Sequence, residues 1–171
     1  RIPFALGQYR FAVGAYQAAA GDFQRAADGL SGVAKEEALC RRGAALLGAG
    51  LTEEGISQLK DVAGRKADRP VRARARFLAA QAEWKRGKAG RAARLLEGLM
   101  KEENDFTLPA LALYTRALRS SGRETEAERR FNELLERYPE SGEAEEARRT
   151  HFLKGETETG IEYFVQIASF R

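Results

Sequence analysis

RSSGRETEAERRF, residues 119–131, reads as the end of one helix, a turn and the start of the next. Gly122 can leave a helix through a left-handed backbone at no steric cost. Five residues past it stands the small Ala127, nine past it the large Phe131, and seven before it the small Thr115. Small residues at the first and last of these sites let two antiparallel helices approach, and the large one fills the space between them. The layout recurs in AAAGDFQRAADGL (18–30), LGAGLTEEGISQL (47–59) and WKRGKAGRAARLL (84–96). The turn glycines so read are Gly21, Gly50, Gly87 and Gly122, at intervals of 29, 37 and 35.

The other sites follow the same frame. The small residues past each turn are Ala26, Gly55, Ala92 and Ala127; those before it are Gly14, Gly43, Ala80 and Thr115. Leu30, Leu59, Leu96 and Phe131 follow at nine, then Val33, Val62, Leu99 and Leu134 three further on. Pro70 and Pro109 suit first turns, where a missing N–H does no harm. Thr52 and Ser141 suit N-caps, and Pro139 stops a helix. The reading is an all-α array of four helical hairpins. One more amphipathic helix, SGEAEEARRTHFLKG, offers Ala144, Ala147, Phe152 and Leu153 to cover the last hairpin, as a repeat array requires.

This pattern resembles the tetratricopeptide repeat, over residues 4–154. The fourth unit carries the resemblance best, with Leu111, Tyr114, Leu118, Gly122, Ala127, Phe131, Leu134 and Pro139 in register. The first unit departs, with Arg10 and Gln17 where the family prefers large apolar and aromatic residues. The resemblance implies a right-handed superhelix whose first helices line a concave, peptide-receiving groove. Carried over by register, the groove residues are Phe11, Ala15, Ala18, Cys40, Ala44 and Leu47 at one end. At the other they are Arg74, Phe77, Gln81, Trp84, Arg116 and Arg119. An extended peptide with an apolar part and an acidic part would complement such a groove. The Lys and Asn positions of the family's carboxylate clamp are not supplied.

Charge is unevenly placed. The net of +4 divides into +1 over residues 1–60, +7 over 61–100 and −4 over 101–171. The basic block, running through GRKADRPVRARARF and WKRGKAGRAAR, opens a rival reading, a cytoplasmic helical scaffold for nucleic acid. It carries no recognised nucleic-acid motif, so it ranks below the protein-binding reading. A structural homo-oligomer is a third reading. No enzyme is expected: the pairs Glu36–Glu37, Glu53–Glu54, Glu102–Glu103 and Glu145–Glu146 diverge on helices rather than converge across a cleft. One cysteine, Cys40, and one histidine, His151, make a metal cage an unsupported expectation, and no cofactor motif is present. No apolar run approaches the roughly 18–20 residues of a membrane helix.

The last residues differ from all of this. In IEYFVQIASFR, residues 161–171, Ile161, Tyr163, Val165 and Ile167 alternate with their neighbours at the period of a strand. The run Phe164-Val165-Gln166-Ile167-Ala168-Ser169-Phe170 resembles the opening strand of a SPOR domain, a peptidoglycan-binding module, with Ala168 where that family usually has glycine. The resemblance implies that Gln166 and Ser169 would lie on the glycan-binding face of a complete domain. The expected organisation is therefore a repeat array over 1–154, a linker over 155–160 and the truncated start of a SPOR domain over 161–171. The parent would be a periplasmic cell-envelope protein, directed to division-site glycan strands, with its signal or anchor outside this stretch. An orphan strand with open backbone groups also suggests self-association through the tail.

Overall fold

A computed structural model describes residues 2–65, 68–101 and 104–159, with side chains through residue 150. Among these residues the chain is helical, in the order α1 (Ile2–Ala12), α2 (Tyr16–Asp28), α3 (Gly32–Gly48), α4 (Thr52–Gly64), α5 (Arg69–Lys85), α6 (Ala89–Leu99), α7 (Thr107–Ser120), α8 (Glu124–Arg137) and α9 (Gly142–Thr159). Consecutive helices pack as hairpins. α3 also meets α5, α5 meets α7 and α7 meets α9, so these first helices form one inner layer.

Four turns of one design join the hairpins. At Gly50 (φ +79°) the chain leaves α3 through a left-handed residue, with Gly50 N–H donating to Leu47 O at 3.1 Å and Leu51 N–H to Leu46 O at 2.9 Å. This double closure satisfies two carbonyls at the helix end, and a side chain at the glycine would strain it. Gly87 and Gly122 repeat it, and so does Gly14 (φ +81°), where Ala15 N–H donates to Arg10 O at 2.8 Å.

The first turn is thus at Gly14, and the expectation of Gly21 is corrected: Gly21 is an exposed residue inside α2, with ordinary helical backbone. The intervals become 36, 37 and 35 between Gly14, Gly50, Gly87 and Gly122. The displacement is seven residues. Two helical turns nearly restore the same face, so small residues seven apart (Gly7, Gly14, Gly21) fit either register. In the true register the first unit conforms: Gly7 stands before the turn, Ala19 after it, and Phe23 and Ala26 take the places first given to Leu30 and Val33. Phe23 and Ala26 are buried, whereas Val33 is 55% exposed.

The packing sites explain the residue types. A Cβ on Gly7 would lie 2.9 Å from the Phe23 ring, and one on Gly43 2.6 Å from Leu59, so each glycine is the hollow into which the large residue of the second helix sinks. Ala80 and Leu96 occupy the same two sites in the third hairpin, both wholly buried. In the fourth, Thr115 takes the small site and its hydroxyl donates to Leu111 O at 2.9 Å, leaving no unsatisfied polar group. α8 is fastened to α7 by Tyr114, wholly buried, whose hydroxyl donates to Glu126 at 2.9 Å. Burial and that hydrogen bond push the phenol up to about 12.

The two ends of the array contrast. Ala38 and Ala45 in α3 and Ala75 in α5 are buried on the face turned to the preceding hairpin. Their counterparts in α1 are Ile2 and Tyr9, 83% and 66% exposed. At the far end α9 does cap: Ala144 is buried with Leu111, Ala112 and Leu134, and Ala147 packs beside them. Ser141 Oγ accepts from Ala144 N–H at 3.1 Å, as an N-cap does. Thr52 is no cap but the first residue of α4, preceded by Leu51. Pro70 lies in the first turn of α5 and Pro109 in that of α7, while Pro139 follows the end of α8. Helical backbone continues through residues 155–159 of the 155–160 stretch read as linker. The side chains of Phe152 and Leu153, and the strand and SPOR-like text of residues 161–171, including Gln166 and Ser169, lie outside the described residues.

Candidate protein-interaction groove

The inner faces of α1, α3 and α5 enclose two adjoining hollows of about 500 and 480 Å³, and Phe11, Ala44 and Leu78 line both. Helical periodicity sets these residues there: Ala44 follows Cys40 by one turn, and Leu78 and Gln81 follow Arg74. The first hollow adds Gln8, Cys40, Arg41 and Arg74; the second adds Leu47, Gln81, Lys85 and Arg86. Phe11 leans edge-on against Tyr16 at 5.2 Å between centroids, which fixes an aromatic ring at the mouth. Cys40 lies beneath the floor, wholly buried; burial, with Glu37 adding, pushes its thiol up to about 12, so it is a packing group rather than a nucleophile.

Charge in the groove is mostly internal. Glu37 accepts from Arg41 Nε at 2.7 Å and from Arg74 Nη1 at 2.7 Å, so two guanidiniums share one carboxylate. Arg86 pairs with Glu53 on α4, and Lys85 is exposed without an ion pair among the described residues. The net field is positive, carried by the shared pair at one end and Lys85 at the other.

Of the residues expected from the register, Phe11, Leu47, Arg74 and Gln81 come together here. Phe77 turns the other way, 8% exposed, its ring tilted against Phe106 at 5.3 Å. Trp84 also packs on that core rather than opening to the groove. Arg116 and Arg119 lie farther along α7, held by Glu146 at 3.1 Å and by Glu128 at 3.1 Å, where α7 meets α9 and α8. Ala15 and Ala18 are corrected with the register: they start α2 and lie on it, in the outer layer. Gln8, Arg41, Leu78 and Lys85 were not in the expected set. A first-unit register on Gly14 would have found Gln8, and the Glu37–Arg41 spacing of four was a visible sign of an inner-face pair.

The expected basic block divides. Arg74 faces the groove, while Arg72 and Arg76 line a separate cleft with Arg69. The glutamates are taken up singly, Glu36 by Arg65 and Glu37 by Arg41 and Arg74. Among the described residues no three His, Cys, Asp or Glu side chains gather to hold a metal ion, and no helix is long and apolar enough to cross a membrane.

No protein-family model and no curated protein matches the sequence. Solved structures do resemble the fold. Two are of a Podosopora anserina kinesin light chain with nearly identical TPR-like repeats, each 17% identical, with TM-scores of 0.72 and 0.68. The alignments cover 99% and 100% of this chain and 92% and 96% of theirs. A third, a mutant of MamA, is 18% identical with a TM-score of 0.63 over 99% of this chain and 96% of that one. At such identity the likeness is one of fold, and it agrees with the turn-by-turn geometry: the chain folds as an array of tetratricopeptide-like repeats.

Proposed function

We propose that these repeats are the partner-recruiting arm of a bacterial cell-envelope protein and that their groove receives an extended peptide with an apolar anchor and acidic neighbours. The observation that carries the reading is the groove itself: an apolar floor of Phe11, Ala44, Leu47 and Leu78 under a positive rim. Apolar anchors supply the affinity of such a site and the rim its orientation and on-rate. One groove buries modest area, so micromolar affinity is expected. Display of a random peptide library should enrich sequences pairing an aromatic or aliphatic residue with Asp or Glu. Leu78→Glu should lose them by at least about tenfold. Enrichment of basic peptides, or equal binding by L78E with unchanged circular dichroism, would sink the groove reading.

The address rests on the SPOR-like text of residues 164–170 alone. Phe164, Val165, Gln166, Ile167, Ser169 and Phe170 support a peptidoglycan-targeting domain beginning there, which would put the parent in the periplasm at division-site glycan strands. The natural full-length protein should pellet with sacculi, more so after amidase treatment, and a form ending at Thr157 should not. If neither pellets, the envelope assignment falls and the groove reading remains.

A further inference from the structure

Arg69, Arg72 and Arg76 recur on α5 at i, i+3 and i+7, which places them on one ridge, on the other side of the helix from Arg74. That ridge borders a cleft of about 270 Å³ between the start of α5, the end of α6 and the segment leading into α7. Pro70, Ala73, Leu99 and Phe106 make its apolar walls, and Asp105 is the one carboxylate among the described lining residues.

Several half-buried arginines have carboxylate partners: Arg10 with Asp22, Arg74 with Glu37, Arg86 with Glu53, Arg130 with Glu133. Arg72 and Arg76 have none among the described residues. Both are half-buried. Arg76 Nη1 donates to the carbonyl of Gly98 at 3.1 Å, a neutral acceptor. The Arg72 guanidinium makes no hydrogen bond or ion pair with any described residue; the backbone N–H of Arg72 donates to Asp68 O at 3.0 Å. A guanidinium partly withdrawn from water against apolar walls, with no carboxylate paired to it among the described residues, is unfavourable, and an entering anion relieves that cost. The planar fork of arginine matches the oxygens of a carboxylate or phosphate. The backbone amides at the start of α7 are already engaged: Phe106 N–H donates to Asn104 Oδ1 at 2.9 Å and Thr107 N–H to Asn104 O at 2.9 Å. Recognition therefore falls to the arginines.

We propose that this cleft binds an oxyanion carried on a flat apolar body, with the carboxylate or phosphate on Arg72 and Arg76 and the body against Phe106 and Leu99. The site lies on a different face from the peptide groove and does not depend on it. Amide NMR titration with phenyl phosphate, benzoate and inorganic phosphate tests it. The expected result is saturable shifts at Arg72, Ala73, Arg76 and Phe106, with inorganic phosphate weaker than phenyl phosphate because it leaves the apolar wall uncovered. Saturation by phenyl phosphate alone identifies the group as a phosphate, and saturation by benzoate alone as a carboxylate; either supports the site. Arg72→Gln with Arg76→Gln should weaken binding by at least about tenfold, while Arg74→Gln leaves it unchanged. Should the double variant unfold, Arg72→Gln, which breaks no side-chain hydrogen bond or ion pair among the described residues, carries the test. Non-saturating shifts with all three probes, or undiminished binding by R72Q/R76Q, would overturn the proposal.

Discussion

Leu59→Ala is expected to cost about 2–5 kcal/mol of stability, Gly43→Ala about 1–3 kcal/mol, and the two together less than their sum. Leu59 is wholly buried on α4, and its branch sits where a Cβ on Gly43 of α3 would be, at 2.6 Å. Truncating the leucine leaves a cavity that its rigid helical surroundings fill only in part. Adding a methyl at position 43 alone forces the two helices apart. In the double variant the new methyl enters the vacated space, so the coupling should be favourable by about 1 kcal/mol or more. Urea unfolding followed by circular dichroism measures all four corners of the cycle. Strict additivity would mean that this contact does not set the distance between α3 and α4. Gly21→Ala is the internal control: nothing lies within 4 Å of a Cβ there, and the residue is mid-helix. Alanine should stabilise α2 by about 0.5–1 kcal/mol, whereas a turn glycine would give the opposite sign.

The small–large–small sites made the array readable because they are local and steric. A helical hairpin needs a residue that tolerates positive φ at the turn and a hollow opposite each large side chain, and both needs leave marks at fixed spacing. The first unit misled because glycines at 7, 14 and 21 share one helical face. Only the side chain that fills the hollow, Phe23 over Gly7, selects the register. The groove was legible in part for a similar reason. Register assigns a residue to the inner helix, but a rotation of tens of degrees decides whether it points to the hollow, as Leu78 does, or into the neighbouring hairpin, as Phe77 does. Charge was least legible. The basic block looked like a single patch, yet Arg74 pairs with Glu37 and Arg86 with Glu53, partners 37 and 33 residues away that only the stacking of hairpins brings near.

Asp22→Ala is expected to cost about 2–3 kcal/mol, while Arg10→Leu combined with Asp22→Leu should cost little or nothing. Asp22 is wholly buried on α2; one carboxylate oxygen accepts from Arg10 Nη1 of α1 at 2.7 Å and the other from Arg25 one turn on. Removing the carboxylate strips the half-buried Arg10 of its counter-charge. The loss stays below the roughly 3–5 kcal/mol of a fully buried pair because both guanidiniums reach solvent, at 35% and 63% exposure. The apolar replacement follows from the repeat itself. The positions equivalent to Arg10 in the second and fourth units are Leu46 and Leu118, both buried, and that of Asp22 in the third is Leu95, packed on its core. Sites that accept leucine in sister hairpins should accept it in the first. Thermal unfolding of the single and double variants decides between two meanings of the ion pair. A stable R10L/D22L chain would make it one of two interchangeable ways to close a hairpin. A double variant as weak as Asp22→Ala would show that α1 needs the charge, its outer face having no preceding helix among the described residues to hold it in place.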